Sequence, residues 1–142
     1  MNIQASILAT ALALSGCMSV APQVSRGDTN GGSVIKVRQE IGELIFSDEV
    51  LCLSAGVYSA HTMLVLLGPD RVKTKPHTVW GFHGAENAST GQWAERGTRE
   101  LAATYPPRLA RWFWANAAHL HGNDFARVNG AWMIANNFAG EC

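Results

Sequence analysis

Ser59, His83 and the glycine pair at 31–32 are spaced along this chain in an order that suits acyl-transfer chemistry. Ser59 stands where the stretch Val50 to Tyr58 gives way to the apolar run Ala60 to Leu67. A serine at such a junction commonly caps a helix. The same position also presents its Oγ at a strand end, the geometry of a nucleophile on a strand-to-helix turn. A serine hydroxyl is a weak nucleophile at neutral pH and needs a base within hydrogen-bond reach, most often a histidine. His83, in Gly81-Phe82-His83, supplies one at the end of a short apolar stretch; its plainer role is a strand-end imidazole satisfied by backbone. Asn30-Gly31-Gly32-Ser33 precedes a helical pattern, and backbone N–H groups of paired glycines at a helix start can hold an oxyanion. A diglycine also serves as a simple tight turn.

The elements that must position these groups are legible from periodicity. Val37, Ile41, Leu44 and Ile45 fall at helical spacing and make one apolar stripe. Ser47-Asp48-Glu49 ends that helix, and Val50-Leu51-Cys52-Leu53 reads as a buried strand of parallel type. Ala60 to Leu67 is apolar enough for a wholly buried helix, stopped by Gly68-Pro69-Asp70. Arg71 to Lys75 and Thr78 to His83 are two more short strands, and a loop follows from Gly84 to Gly91. Gln92 to Ala103 is helical, and Pro106-Pro107 starts a further helix whose inner stripe is Leu109, Trp112, Phe113, Ala117 and Leu120. Asn129 caps a last short helix through Asn136, ahead of an irregular tail ending at Cys142. Alternation of helices and strands predicts an α/β domain with a mostly parallel sheet flanked by helices.

Bulk properties bound the function. The 142 residues have room for one domain, and 47% of them are apolar, enough for a real core. Eleven basic side chains balance eleven acidic ones, so nothing in the charge points to nucleic acid. The first seventeen residues read as an export signal. Ile7 to Leu14 is an apolar run too short to span a bilayer of ~30 Å, and it leads into Leu14-Ser15-Gly16-Cys17, a lipobox-like sequence ending in the cysteine that would be lipidated. The six residues from Met1 to Ser6 lack the positive charge usual in such signals, and a buried N-terminal strand or helix is the plainer alternative. Residues 18–30 look like a tether with one short strand around Val20 to Ser25, and residues 31–142 like the folded domain. Export would place Cys52 and Cys142 in an oxidising compartment, where a bridge stabilises by ~3–5 kcal/mol; two unpaired thiols are the alternative. No Cys/His cluster has metal-ligand spacing, and no cofactor is expected.

Read together, Gly-Gly-Ser-Val, a helix, an apolar strand, Ser59-Ala60, a helix ending at Gly68 and Gly81-Phe82-His83 resemble the proteolytic subunit of Clp protease. The likeness is greatest to the secreted, predicted-periplasmic branch of that ClpP-like, crotonase-like clan. Ser59 lies nine residues before Gly68 and twenty-four before His83, close to the family's spacing, and the resemblance runs from Asn30 to Cys142. It implies a crotonase-like fold and an exported serine hydrolase, most simply a peptidase acting on peptide or protein substrates. Ser59 would be the nucleophile, His83 the base, and Gly31, Gly32 and the Ala60 amide the oxyanion hole. Asp124 is the nearest match to the family's acid, although one residue out of register; a turn aspartate bonding its own backbone is the alternative, and Asn123 or a carbonyl could orient His83 instead. Ser54, in Cys52-Leu53-Ser54-Ala55, mimics the family motif locally, but it would stretch both downstream spacings by five residues. His61 departs from the small residue usual two positions after the nucleophile. The front of the domain is shorter than the family's strand, helix and strand. These departures keep open a catalytically inactive binding or assembly lipoprotein; an acyl-thioester hydrolase or isomerase is a third reading. Lipidation at Cys17 would anchor the protein on the periplasmic side of the bacterial cell envelope, and the resemblance leaves homo-oligomerisation open.

Overall fold

The computed structural model describes residues 23–26, 29–30 and 32–142. The expected export signal, the lipobox with Cys17, and Gly31 lie outside the described residues. The chain is α/β, and its strands form two small sheets rather than one. In the first sheet, β1 (Gln23–Arg26), β3 (Val50–Leu53), β5 (Val72–Thr74) and β8 (Gly140–Glu141) run parallel in that order. In the second, β2 (Thr29–Asn30), β4 (Gly56–Tyr58) and β6 (Val79–Phe82) are parallel, and β7 (Ala126–Asn129) closes the edge antiparallel to β6.

Each sheet grows by one strand per turn of a repeating unit. From β1 to β6 a strand in the first sheet passes through a short joint into a strand of the second and a helix then returns the chain, whereas β7 joins the second sheet before a helix leads to β8 in the first. The joint after β3 is held by hydrogen bonds to the Leu53 carbonyl, from the Thr78 hydroxyl at 2.9 Å, the Thr74 hydroxyl at 3.2 Å and the Lys75 amide at 3.2 Å. Because β1 and β2 already belong to the sheets, the folded unit begins before residue 31. The expected tether at 18–30 is corrected for these two segments, whose backbone pairs with β3 and β4.

The helices follow their apolar spacing. In α1 (Val34–Ile45), Val37, Ile41 and Leu44 are buried. Ile45, expected on the same stripe, sits on the last turn facing a shallow groove beside Leu66 and is 54% exposed. The Arg71 guanidinium caps the end of α1, donating to the carbonyls of Leu44, Ser47 (2.7 Å) and Glu49 (3.2 Å), a favourable place for a cation. The apolar run after Tyr58 forms a 3₁₀ helix, Ser59–Leu67, rather than an α-helix. Its first turn is pinned by the Thr62 hydroxyl, which donates to the Ser59 carbonyl at 2.6 Å, and Gly68 stops it at φ +83°, a backbone shape glycine adopts without steric cost. Further on come α2 (Glu95–Ala102), α3 (Pro107–Asn116) and α4 (Gly130–Ala135). Pro107 occupies the first turn of α3, and Asn129 Oδ1 accepts the Trp132 amide at 2.9 Å to cap α4, both as the sequence predicts. Gln92 and Trp93 stay outside α2 because Trp93 pairs with Glu86 as an isolated β-bridge.

Leu51, Leu53, Val57, Met63, Leu64, Trp80, Phe82, Leu109 and Phe113 form the fully buried centre. Trp80 satisfies its indole N–H on the Thr74 hydroxyl at 3.1 Å. The C-terminal tail, expected to be irregular, instead adds β8 beside β5. The Cys142 amide donates to the Thr74 carbonyl at 3.2 Å, and a Cys52–Cys142 disulfide ties the last residue to the neighbouring strand β3 across 90 residues of sequence. The bridge reinforces the two-residue pairing of β8 with β5. Replacing both cysteines by serine is expected to cost about 3–5 kcal/mol and lower the thermal midpoint by roughly 10–20 °C. Melting the wild type with and without reductant checks this.

Candidate active site

Two strand ends meet at the candidate site. In the second sheet Tyr58 lies in register with Gly81, so the parallel strands β4 and β6 release Ser59 and His83 side by side at the same end. Ser59 Oγ stands 2.6 Å from His83 Nε2, within the reach that proton transfer requires. For His83 to accept the Ser59 proton, Nε2 must be bare and the ring hydrogen must sit on Nδ1.

The backbone at Ser59 has φ +54°, a left-handed shape uncommon for a residue with a side chain. Such strain persists only where the surroundings over-determine it. Here a buried chain of hydroxyls does so: the Thr62 hydroxyl donates to the Ser59 carbonyl, and Tyr105 Oη donates in turn to Thr62 Oγ1 at 2.6 Å. Tyr105 is buried, which pushes its phenol well above the ordinary range and keeps it a donor; the bond to Thr62 opposes that shift in part. Ser59 therefore does not cap the helix through its side chain, since its hydroxyl points at the imidazole instead.

His83 is only 7% exposed. Its position follows from Gly84, whose amide donates to the Leu120 carbonyl at 2.8 Å. A Cβ on Gly84 would overlap the Ala118 carbonyl and the Trp93 indole, and that indole donates to the same carbonyl at 2.6 Å. Burial holds the His83 imidazole below the usual histidine range. The Glu86 carboxylate raises its basicity and His121 lowers it further, both as smaller effects. Glu86 is itself fixed by the Gly122 amide and stands 3.9 Å from His121 Nδ1. His83 Nδ1 is buried and has no hydrogen-bond partner among the described residues, and the Phe125 ring packs against the imidazole with centroids 4.5 Å apart.

Asp124 does not complete a triad. It is exposed, and its amide closes a turn onto the His121 carbonyl at 3.2 Å. The turn that ends at Asp124 delivers Phe125, not the carboxylate, to the histidine. Asn123 is likewise exposed in that turn. Gly32 lines the same cleft as Ser59 and His83, a space of about 520 Å³ bounded also by Ser33, Val34, Ala85 and Glu86. Gly32 has φ +117° and open space where a Cβ would be, which leaves its backbone accessible to a ligand. Gly31, the other half of the expected pair, lies outside the described residues. Ala60 follows Ser59 in the first turn of the 3₁₀ helix, so its N–H lacks an acceptor within the helix and remains a candidate oxyanion donor. Ser54 lies in the joint between β3 and β4, at the opposite end of β4 from the site. His61 turns toward α1, where its Nε2 stands 3.6 Å from Glu40 Oε2, and it does not line the cleft.

Sequence reasoning missed Phe125, Glu86 and the Tyr105–Thr62 pair. Their signals were faint, because an aromatic beside a turn aspartate and a tyrosine before two prolines look like ordinary packing. Among the described residues no group of three or more His, Cys, Asp or Glu side chains is disposed to hold a metal ion, and no helix is long and apolar enough to cross a membrane. No protein-family model matches the sequence, and no match is found among curated proteins.

The left-handed backbone at Ser59 has a measurable cost. Glycine tolerates that shape and alanine does not, so Ser59→Gly is expected to be more stable than Ser59→Ala by about 1 kcal/mol, the reverse of the usual order. Urea unfolding of the two variants reads the difference.

Proposed function

We propose that the chain is an exported serine hydrolase of the ClpP-like, crotonase-like class, most simply a peptidase. The observation that carries this reading is the 2.6 Å approach of Ser59 Oγ to His83 Nε2, with the serine on a left-handed turn at the mouth of a cleft. The repeated passage of strand, strand and helix between two sheets supports the crotonase-like assignment. Lipidation at Cys17 and a place on the periplasmic side of the cell envelope belong to the same proposal and rest on the lipobox. A Cys17→Ser variant that still incorporates a fatty-acid label would count against them.

The mechanism is acyl transfer. Ser59 Oγ attacks the substrate carbonyl carbon while its proton passes to His83 Nε2. The resulting oxyanion is held by the N–H groups at Ala60 and the glycine pair. His83 then gives the proton to the leaving amine as the C–N bond breaks, and water repeats the cycle to release the acyl group. Removing one oxyanion donor typically costs ~10²–10³ in rate, so the hole is a large share of the catalysis. The cleft beside the serine accommodates an extended peptide better than a charged nucleotide-bearing thioester, since Glu86 and Glu100 are its ionic lining.

A fluorophosphonate probe tests the proposal. It is expected to label wild type and to leave Ser59→Ala unlabelled, while His83→Gln slows labelling by ~10²-fold or more and Asp124→Asn leaves it unchanged. Because burial lowers the His83 pKa, the base stays neutral through pH 7, and the labelling rate should hold until pH falls well below 6.5. The same sign applies to stability. A histidine depressed in the folded state binds fewer protons than in the unfolded chain, so its contribution is intact above pH 6.5 and is lost as pH falls through the folded value.

A second reading draws on a specific observation, the absence of a partner for His83 Nδ1 among the described residues together with the exposed Asp124. An inactive ClpP-like binding or assembly lipoprotein would keep the fold and lose the acid first. Absence of labelling in a folded wild type selects that reading.

A further inference from the structure

The serine–histidine pair leaves a physical problem, because transferring the Ser59 proton turns His83 into a buried cation. A neutral His83 at this depth is already disfavoured from charging, and among the described residues no carboxylate is hydrogen-bonded to Nδ1. What does touch the imidazole is the Phe125 ring, at 4.5 Å between centroids and tilted by 40°. That ring is held on two further sides. Tyr58, the residue before the nucleophile, meets it edge-on at 5.4 Å, and the Arg127 guanidinium stands 5.6 Å from its centroid. Tyr58, Phe125 and His83 thus form one packed column that joins the end of β4 to the end of β6 through the start of β7.

We propose that Phe125 is the positioning residue for His83, fixing the ring against Ser59 and stabilising the imidazolium through its π-face where a triad would use a carboxylate. An aromatic face attracts a cation within about 6 Å, and the attraction grows as water is removed; here the imidazole is buried and the Phe125 ring half-buried. The other charged or titratable groups facing this column are Glu86 and His121 beside the cleft, Arg127 and Tyr58 against Phe125, and Ser59 itself. Of these only Glu86 favours a charged His83, and its carboxylate is shared with the Gly122 amide and His121. Arg127 draws on the same ring, so the effect on His83 is moderate rather than maximal. The inference deepens the hydrolase reading and rests on it for its catalytic meaning, but the electrostatic part is measurable without turnover.

The test is an NMR titration of the five histidines in the full chain, with His83→Gln identifying the resonance, alongside fluorophosphonate labelling rates across pH. Phe125→Leu is expected to lower the His83 pKa by about 0.5–1.5 units and to slow labelling roughly 3- to 30-fold near neutral pH. Phe125→Tyr should restore both, because it keeps the aromatic face. Phe125→Met preserves bulk and repeats the measurement should the leucine variant fail to fold. An unchanged or raised His83 pKa in Phe125→Leu or Phe125→Met overturns the inference, as does a tyrosine variant that behaves like leucine. Loss of rate with the pKa unmoved reduces Phe125 to packing and likewise overturns it. A wild type that titrates as expected but never labels defeats the hydrolase reading alone.

Discussion

The arrangement depends on the register between β4 and β6. Gly56 faces Val79, Val57 faces Trp80 and Tyr58 faces Gly81, in parallel, so the residues that follow both strands leave the sheet together. Neighbouring strands lie ~4.8 Å apart, and a serine and a histidine just past their ends need little further adjustment to touch. A slip of one residue would turn each side chain to the other face and send the imidazole away from the hydroxyl. The register is fixed by burial, because Val57, Trp80 and Phe82 are fully buried and cannot be turned outward without exposing large apolar surface. The approach of Ser59 to His83 is therefore a consequence of the core.

Parallel pairing has a second consequence. It requires a return connection between successive strands, and the 3₁₀ helix Ser59–Leu67 makes that return from β4 back to β5. Its first residue is the candidate nucleophile, so the turn from strand to helix and the placement of Oγ are one structural event. The hydroxyl chain from Tyr105 through Thr62 to the Ser59 carbonyl stiffens that turn from inside the core. Each member is buried or nearly so and each bond is short, which makes the network fully satisfied and hence stabilising rather than a liability. His83 differs, a buried polar side chain with Nε2 engaged and no partner for Nδ1 among the described residues. Buried polar groups are nearly always paired, and exceptions concentrate where function tolerates their cost.

Much of this was legible in the sequence, for identifiable reasons. Strands β3 and β6 announce themselves as apolar runs, Gly68 and Pro107 punctuate helices by backbone chemistry, and Asn129 caps α4 as its amide side chain allows. Ser59 and His83 stand out because each sits where an apolar segment ends. Other features depend on distant partners that local pattern cannot reveal. The tail forms β8 only because Thr74 and Cys52 offer it a carbonyl and a thiol, and β1 and β2 exist only because β3 and β4 present open edges. The expected Asp124 failed for a geometric reason, since a turn that points one residue inward points its neighbour out. Ile45 shows the same limit in a helix, where the period says which face a side chain is on but not how far the covering surface extends.

On the proposed hydrolase reading, an aromatic face in place of a carboxylate would change what kind of catalyst this site is. A carboxylate beside a histidine both orients the ring and stabilises its charge, whereas an aromatic neighbour orients well and stabilises less. Burial adds to the difference by disfavouring the imidazolium, so as a base His83 would give up its proton more readily than an exposed histidine. Such a base returns its proton readily. In acyl transfer that favours the second half of each step, delivery of the proton to the leaving group, at the expense of the first, removal from the serine. Under that reading the balance would suit substrates whose leaving group needs help more than the serine does, as an amide does. It would also make the oxyanion donors carry more of the barrier, which would place the burden on the backbone at Ala60 and Gly32 rather than on any acidic side chain.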